Sequence, residues 1–167
     1  MAVPSMRPAV VEIDLPDLAA TAALARALAE RVRPGDVIGL AGELGTGKTT
    51  FARAFIHAMA ELEGAAAEEV PSPTFTLVQA YDFAGVSVWH FDLYRVERPE
   101  DAYELGIEEA FAAAVSLVEW PERLGPLLPA ERLELHLAMG AGPETRRATL
   151  TAYGEWAKRL RGLKLRG

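Results

Sequence analysis

The stretch Gly42-Glu43-Leu44-Gly45-Thr46-Gly47-Lys48-Thr49 limits what this chain can fold into more than any other part of it. It follows a brief apolar run, Asp36 to Ala41, that reads as a strand. It leads into a helical pattern from about Gly47 to Leu62, whose Phe51 and Phe55 are expected to face a core. The spacing satisfies G-x-x-x-x-G-K-[ST], in the strand, loop and helix context that the pattern requires. Glycines let a backbone wrap closely around a phosphate and aim its N–H groups inward, and the following helix N-terminus adds positive dipole. Lys48 then bridges the outer phosphates and the Thr49 hydroxyl ligates Mg2+, with Leu44, Gly45, Thr46, Gly47 and Thr50 completing the cradle. A glycine-rich turn of no function is the competing reading; the agreement of context with pattern argues against it.

The rest of the chain alternates around this loop. Val10 to Leu15 reads as a short apolar strand. Pro16 and Asp17 lead into an amphipathic helix, Leu18 to Val32, with Asp17 as its cap, and Pro34-Gly35 turns the chain. Residues 74–83 and 85–92 form two extended runs about Ala84-Gly85, a predicted hairpin. Glu97 to Phe111 is helical in composition, broken at Gly106, and Ala114 to Glu119 is another apolar strand. Arg132 to Ala138 and Arg147 to Tyr153 alternate as an antiparallel pair, and a helix begins at Glu155. The expected fold is α/β: a three-layer α/β/α P-loop NTPase whose mixed sheet has a parallel core plus antiparallel strands. One domain over residues 1–167 is expected, with a basic tail from about 155.

At 167 residues, 50% hydrophobic and 25% charged, the chain is long enough to bury a core without staples, and it has no Cys for a disulfide or thiolate metal site. With no long apolar run or signal-like start, the expectation is a cytoplasmic protein outside the membrane. The net charge of -7 argues against holding DNA or RNA by the overall field. Lys158, Arg159, Arg161, Lys164 and Arg166 are an exception; taking these five cations from -7 leaves -12 for the remainder. They read either as a solvated helix end or as a small basic contact for RNA or an acidic partner.

A phosphate loop needs a carboxylate at the end of a neighbouring buried strand. Two are offered, Asp92 after Val86 to Phe91 and Glu119 after Val115 to Val118, and spacing does not rank them. His90, between apolar neighbours, reads as packed or hydrogen-bonded rather than as a base. Pro71-Ser72-Pro73-Thr74 stiffens a loop that can either sense a terminal phosphate or simply turn into the hairpin. No His, Cys and carboxylate cluster suggests a transition metal, and no Ser, His and Asp set suggests acyl transfer.

The order GELGTGKTT, PSPTFTLVQAY, HFDLYR, ELGIEEAF and LVEWPERLGPLLP resembles the bacterial TsaE (YjeE) family over roughly residues 10–150. The resemblance implies a small P-loop ATPase of the tRNA threonylcarbamoyladenosine pathway, binding ATP and Mg2+. It would work with TsaB and TsaD, which transfer the threonylcarbamoyl group, and reach tRNA only through them. It also implies that Glu119 ligates Mg2+ together with Thr49, that Asp92 serves hydrolysis, and that Thr74 lies in a switch-like loop near the γ-phosphate. Trp120 matches a Trp close to the nucleotide, Leu18 and Glu122 match positions near the base or ribose, and either Arg146 or Arg147 matches an Arg at the start of the late strand. Two other functions fit the phosphate loop: a small-molecule or nucleotide kinase, disfavoured because Arg residues between 50 and 145 are well spread, and a non-catalytic ATP-gated interaction module.

Overall fold

The computed structural model describes residues 8–65 and 77–163, built on a seven-stranded sheet of order β1-β7-β6-β2-β5-β4-β3. The strands are β1 (Ala9–Leu15), β2 (Val37–Ala41), β3 (Val78–Asp82), β4 (Ser87–Asp92), β5 (Val115–Glu119), β6 (Leu133–Met139) and β7 (Arg146–Ala152). The helices are α1 (Leu18–Ala29), α2 (Lys48–Leu62), α3 (Ile107–Ala113) and α4 (Glu155–Leu160). Parallel pairing joins β6, β2, β5 and β4. Antiparallel β3 flanks β4, and antiparallel β7 and β1 extend the opposite side, so the sheet is mixed as expected.

Each of the five residues of β5 is buried, because helical layers cover both of its faces. On one face Val115 and Leu117 join Leu24 and Leu28 of α1 and Phe51 and Phe55 of α2 in the larger core. Both phenylalanines are wholly buried, their ring centroids 6.5 Å apart, and each contributes about 1.5–3 kcal/mol by leaving water. On the other face Val118 and Phe91 pack with Ala102, Ile107, Ala110 and Leu124. On β1, β7 and β6 strand alternation turns Glu12, Arg147 and His136 outward, and all three are exposed among the described residues.

Local chemistry sets several boundaries. The Asp17 carboxylate accepts the Ala20 N–H at 2.8 Å and caps α1. That helix ends at Ala29, short of the expected Val32. The segment expected as one broken helix from Glu97 is a 3-10 turn, Pro99–Leu105, followed by α3. Gly106 separates them at φ 83°, where a Cβ would come within 3.0 Å of the Trp89 ring. The basic end is anchored rather than simply solvated: Trp156 and Leu160 are buried, and the Arg159 guanidinium donates to Asp36 and to the Arg31 carbonyl. Lys158 and Arg161 remain exposed, while Lys164 and Arg166 lie outside the described residues. Among the described residues no helix is long and apolar enough to cross a membrane.

Candidate functional site

The phosphate-loop sequence joins the end of β2 to the start of α2, as its spacing predicts. Three of its glycines adopt positive φ, Gly42 at 138°, Gly45 at 82° and Gly47 at 101°. Gly42 is required by space as well as by φ, since a Cβ would lie 2.5 Å from the Leu137 carbonyl oxygen and 2.8 Å from Thr46 Oγ1. The Lys48 ammonium folds back over the loop, donating to the carbonyls of Gly42 at 2.6 Å and Glu43 at 2.8 Å. It also lies 4.2 Å from the centre of the Trp120 ring. Burial pushes Lys48 below the ordinary lysine pKa, against the opposing pull of Glu119, Glu122 and Asp92.

Strand register assembles the acids. Asp92 of β4 pairs with Glu119 of β5, and Glu119 in turn pairs with Leu40 of β2, the strand that feeds the loop. Glu119 therefore reaches α2: the Thr49 hydroxyl lies 2.8 Å from its Oε1 and 3.0 Å from its Oε2. His90 Nε2 lies 2.7 Å from the same Oε2, with the ring wholly buried, in agreement with a packed, hydrogen-bonded histidine. Asp92 is buried too, and its Oδ1 accepts the Tyr94 N–H at 3.1 Å. Trp120, immediately after β5, takes a left-handed conformation (φ 61°, ψ 53°) that costs a non-glycine residue about 1–3 kcal/mol. That turn brings its ring beside Lys48 and to 5.0 Å from the Tyr94 ring.

These groups share a cleft of about 420 Å3, lined by Leu44, Gly45, Gly47, Lys48, Thr49, Thr50, Asp92, Glu119 and Trp120. Tyr94, Arg95 and Arg146 line it as well. Tyr94 and Arg95 were not singled out from sequence, although both stand in the HFDLYR segment that carries Asp92. Leu18 and Thr46 meet Gly47, Thr50 and Arg146 around a neighbouring recess of about 30 Å3. Glu122 is not brought to Leu18; it borders an adjoining depression with His136, which shares Leu44, Tyr94 and Trp120 with the cleft. Thr74 lies outside the described residues.

Strand alternation separates the two late arginines. Arg146 turns to the loop, its Nε donating to the Thr46 carbonyl at 2.9 Å and its Nη2 approaching the Gly45 carbonyl at 3.4 Å. Arg147 points to the opposite face, where Nη2 pairs with Glu12 at 3.2 Å and Nε with Asp14 at 3.8 Å. The donors that converge near the loop, a hydroxyl and a carboxylate, are hard oxygen ligands that suit Mg2+ shared with phosphates. Among the described residues no group of three or more His, Cys, Asp or Glu is placed to hold a metal by protein ligands alone.

The chain is similar to known proteins in both sequence and fold. The family model for threonylcarbamoyl adenosine biosynthesis protein TsaE matches residues 15–148. The chain is 41% identical over 118 residues to the tRNA threonylcarbamoyladenosine biosynthesis protein TsaE of Rickettsia felis, a match spanning 70% of this chain and 66% of that one. It is 38% identical over 135 residues to the Bacillus subtilis protein of the same name, covering 80% of each. The crystal structure of Bacillus subtilis YdiB superposes with a TM-score of 0.74 at 31% identity, covering 94% of this chain and 95% of that one. With the family model spanning most of its length, a P-loop at the end of β2 and a sheet shared with YdiB, the chain belongs to the TsaE family.

Proposed function

We propose that this chain binds Mg-ATP and hydrolyses it to ADP and phosphate as the ATPase component of tRNA threonylcarbamoyladenosine formation. It works in the cytoplasm with TsaB and TsaD, as a single P-loop ATPase domain, and meets tRNA only through that pair. The observation that carries the reading is the convergence of Lys48, Thr49, Glu119 and Asp92, from three separate elements, on one cleft at the ends of parallel strands. Membership of a family named for threonylcarbamoyl adenosine biosynthesis supports the pathway.

In this reading the loop N–H groups and Lys48 hold the β- and γ-phosphates. Binding requires the Lys48 ammonium to exchange its bonds to the Gly42 and Glu43 carbonyls for phosphate oxygens. Thr49 and Glu119 would hold Mg2+, which when bound neutralises charge on the phosphates. Asp92, its Oδ1 already fixed by the Tyr94 N–H, orients water for in-line attack on the γ-phosphorus. The bond from that phosphorus to the bridging oxygen breaks, leaving ADP. The Leu18 and Thr50 recess adjoins the loop at Thr46 and Gly47, and in this reading the nucleoside extends toward it.

Phosphate release from Mg-ATP is the test, measured for the pure chain alone and with TsaB and TsaD, with small acceptors screened in parallel. Stimulation by the pair, lost in Lys48→Ala and Asp92→Ala while Asp92→Ala still binds ATP, is the expected result. Phosphorylation of an acceptor without any effect of the pair would replace the reading with a kinase. Full pathway function retained in Asp92→Ala would make the chain an ATP-gated module whose hydrolysis is incidental.

A further inference from the structure

We propose that His90 is a positioning residue that locks the Glu119 carboxylate in the orientation from which it and Thr49 serve the metal, an inference that rests on the nucleotide-site reading above. His90 stands on β4 two residues before Asp92, on the face of the sheet that carries Glu119. Its imidazole is wholly buried and, among the described residues, makes one polar contact, Nε2 to Glu119 Oε2 at 2.7 Å. Nδ1 is buried and has no hydrogen-bond partner among the described residues.

That asymmetry assigns the tautomer. A proton on Nδ1 would strand an N–H donor in the core and set the Nε2 lone pair against a carboxylate oxygen. A proton on Nε2 instead donates a short bond to Oε2. Thr49 Oγ1 lies 2.8 Å from Oε1 and 3.0 Å from Oε2, so the hydroxyl alone does not choose between the two oxygens. His90 does, by holding Oε2 from the core side. The carboxylate, itself buried, then presents Oε1 toward Thr49 and the cleft. Hydrogen-bond partners of ligating carboxylates act in this way, and their loss weakens metal affinity about 10–100-fold.

The test is calorimetric titration of ADP into the full chain, without metal and across a MgCl2 series, for wild type and three variants. A Gln amide nitrogen reaches about where Nε2 stands, whereas an Asn amide stops near Nδ1. Accordingly His90→Gln should keep most of the Mg2+ enhancement of ADP binding. His90→Asn and His90→Leu should need at least about 10-fold more Mg2+ for half-maximal enhancement, with metal-free ADP affinity held within about twofold. If His90→Leu does not fold, the Gln and Asn pair still decides. The inference is overturned if Mg2+ dependence is unchanged in His90→Asn, or if metal-free and Mg2+-dependent binding fall together in folded variants. If wild-type protein does not bind Mg-ADP at all, the nucleotide-site reading itself fails.

Discussion

Two loop glycines offer a controlled test of how tightly the phosphate loop is built. Gly42 and Gly45 both have positive φ, but a Cβ at Gly45 meets no atom within 4 Å, whereas at Gly42 it strikes the Leu137 carbonyl oxygen at 2.5 Å. Gly45→Ala therefore pays only the backbone term, about 1–2 kcal/mol. The reduced freedom of the unfolded chain returns about 0.4–1 kcal/mol of that. Gly42→Ala carries at least that backbone cost, its φ of 138° lying further from the left-handed well, and must also push apart β6 and the loop, an overpacking cost of about 1–3 kcal/mol that no flexible side chain can absorb. The expected destabilisation is about 0–1.6 kcal/mol for Gly45→Ala and at least about 1–3 kcal/mol more for Gly42→Ala, the difference alone lowering Tm by roughly 2–12 °C. Urea denaturation followed by circular dichroism reads both. Because Gly42 opens the loop whose backbone N–H groups would cradle the phosphates, the moved loop should weaken Mg-ADP binding as well. Equal costs for the two variants would refute the claim that contact with β6, rather than φ alone, demands glycine at 42.

The two late arginines should also behave differently. Arg146→Met removes donors to the Thr46 and Gly45 carbonyls and should cost about 1–3 kcal/mol together with nucleotide affinity, while Arg147→Met loses only exposed ion pairs and should cost under about 1 kcal/mol; parallel urea melts and ADP titrations separate them. Lys48→Met tests the buried ammonium through pH. With its folded pKa lowered by burial, Lys48 sheds its proton earlier in the native state than unfolded. Wild type should thus gain stability relative to Lys48→Met as the pH rises through that lowered value toward 10.5, and a flat or falling difference in urea midpoints would contradict it. Phe51→Ala should cost about 3–5 kcal/mol by thermal melt, since its ring is wholly enclosed between α2 and the sheet.

Much of this site is written in short-range patterns. The phosphate loop between an apolar run and a helix, the hairpin about Ala84-Gly85 and the late antiparallel pair each join residues fewer than twenty positions apart, and periodicity and glycine placement report on that range. The 97–111 segment is helical and breaks at Gly106 as its composition implies, but composition does not distinguish an α-turn from the 3-10 turn that runs from Pro99 to Leu105. Asp92 and Glu119 look alike in the sequence, each an acid at the end of an apolar run. What distinguishes them is strand order: β5 lies beside β2 and β4 lies one strand further out, and it is Glu119 that accepts from the Thr49 hydroxyl. The same long-range pairing aims Arg146 at the loop and Arg147 at Glu12, and sets His90 behind Glu119. The chemistry available to the loop was therefore legible from its residue types and spacing, while the partners that complete it, 70 or more positions away for Glu119, follow from how the sheet packs, because adjacency of strands is a property of the whole core and leaves no local period to read.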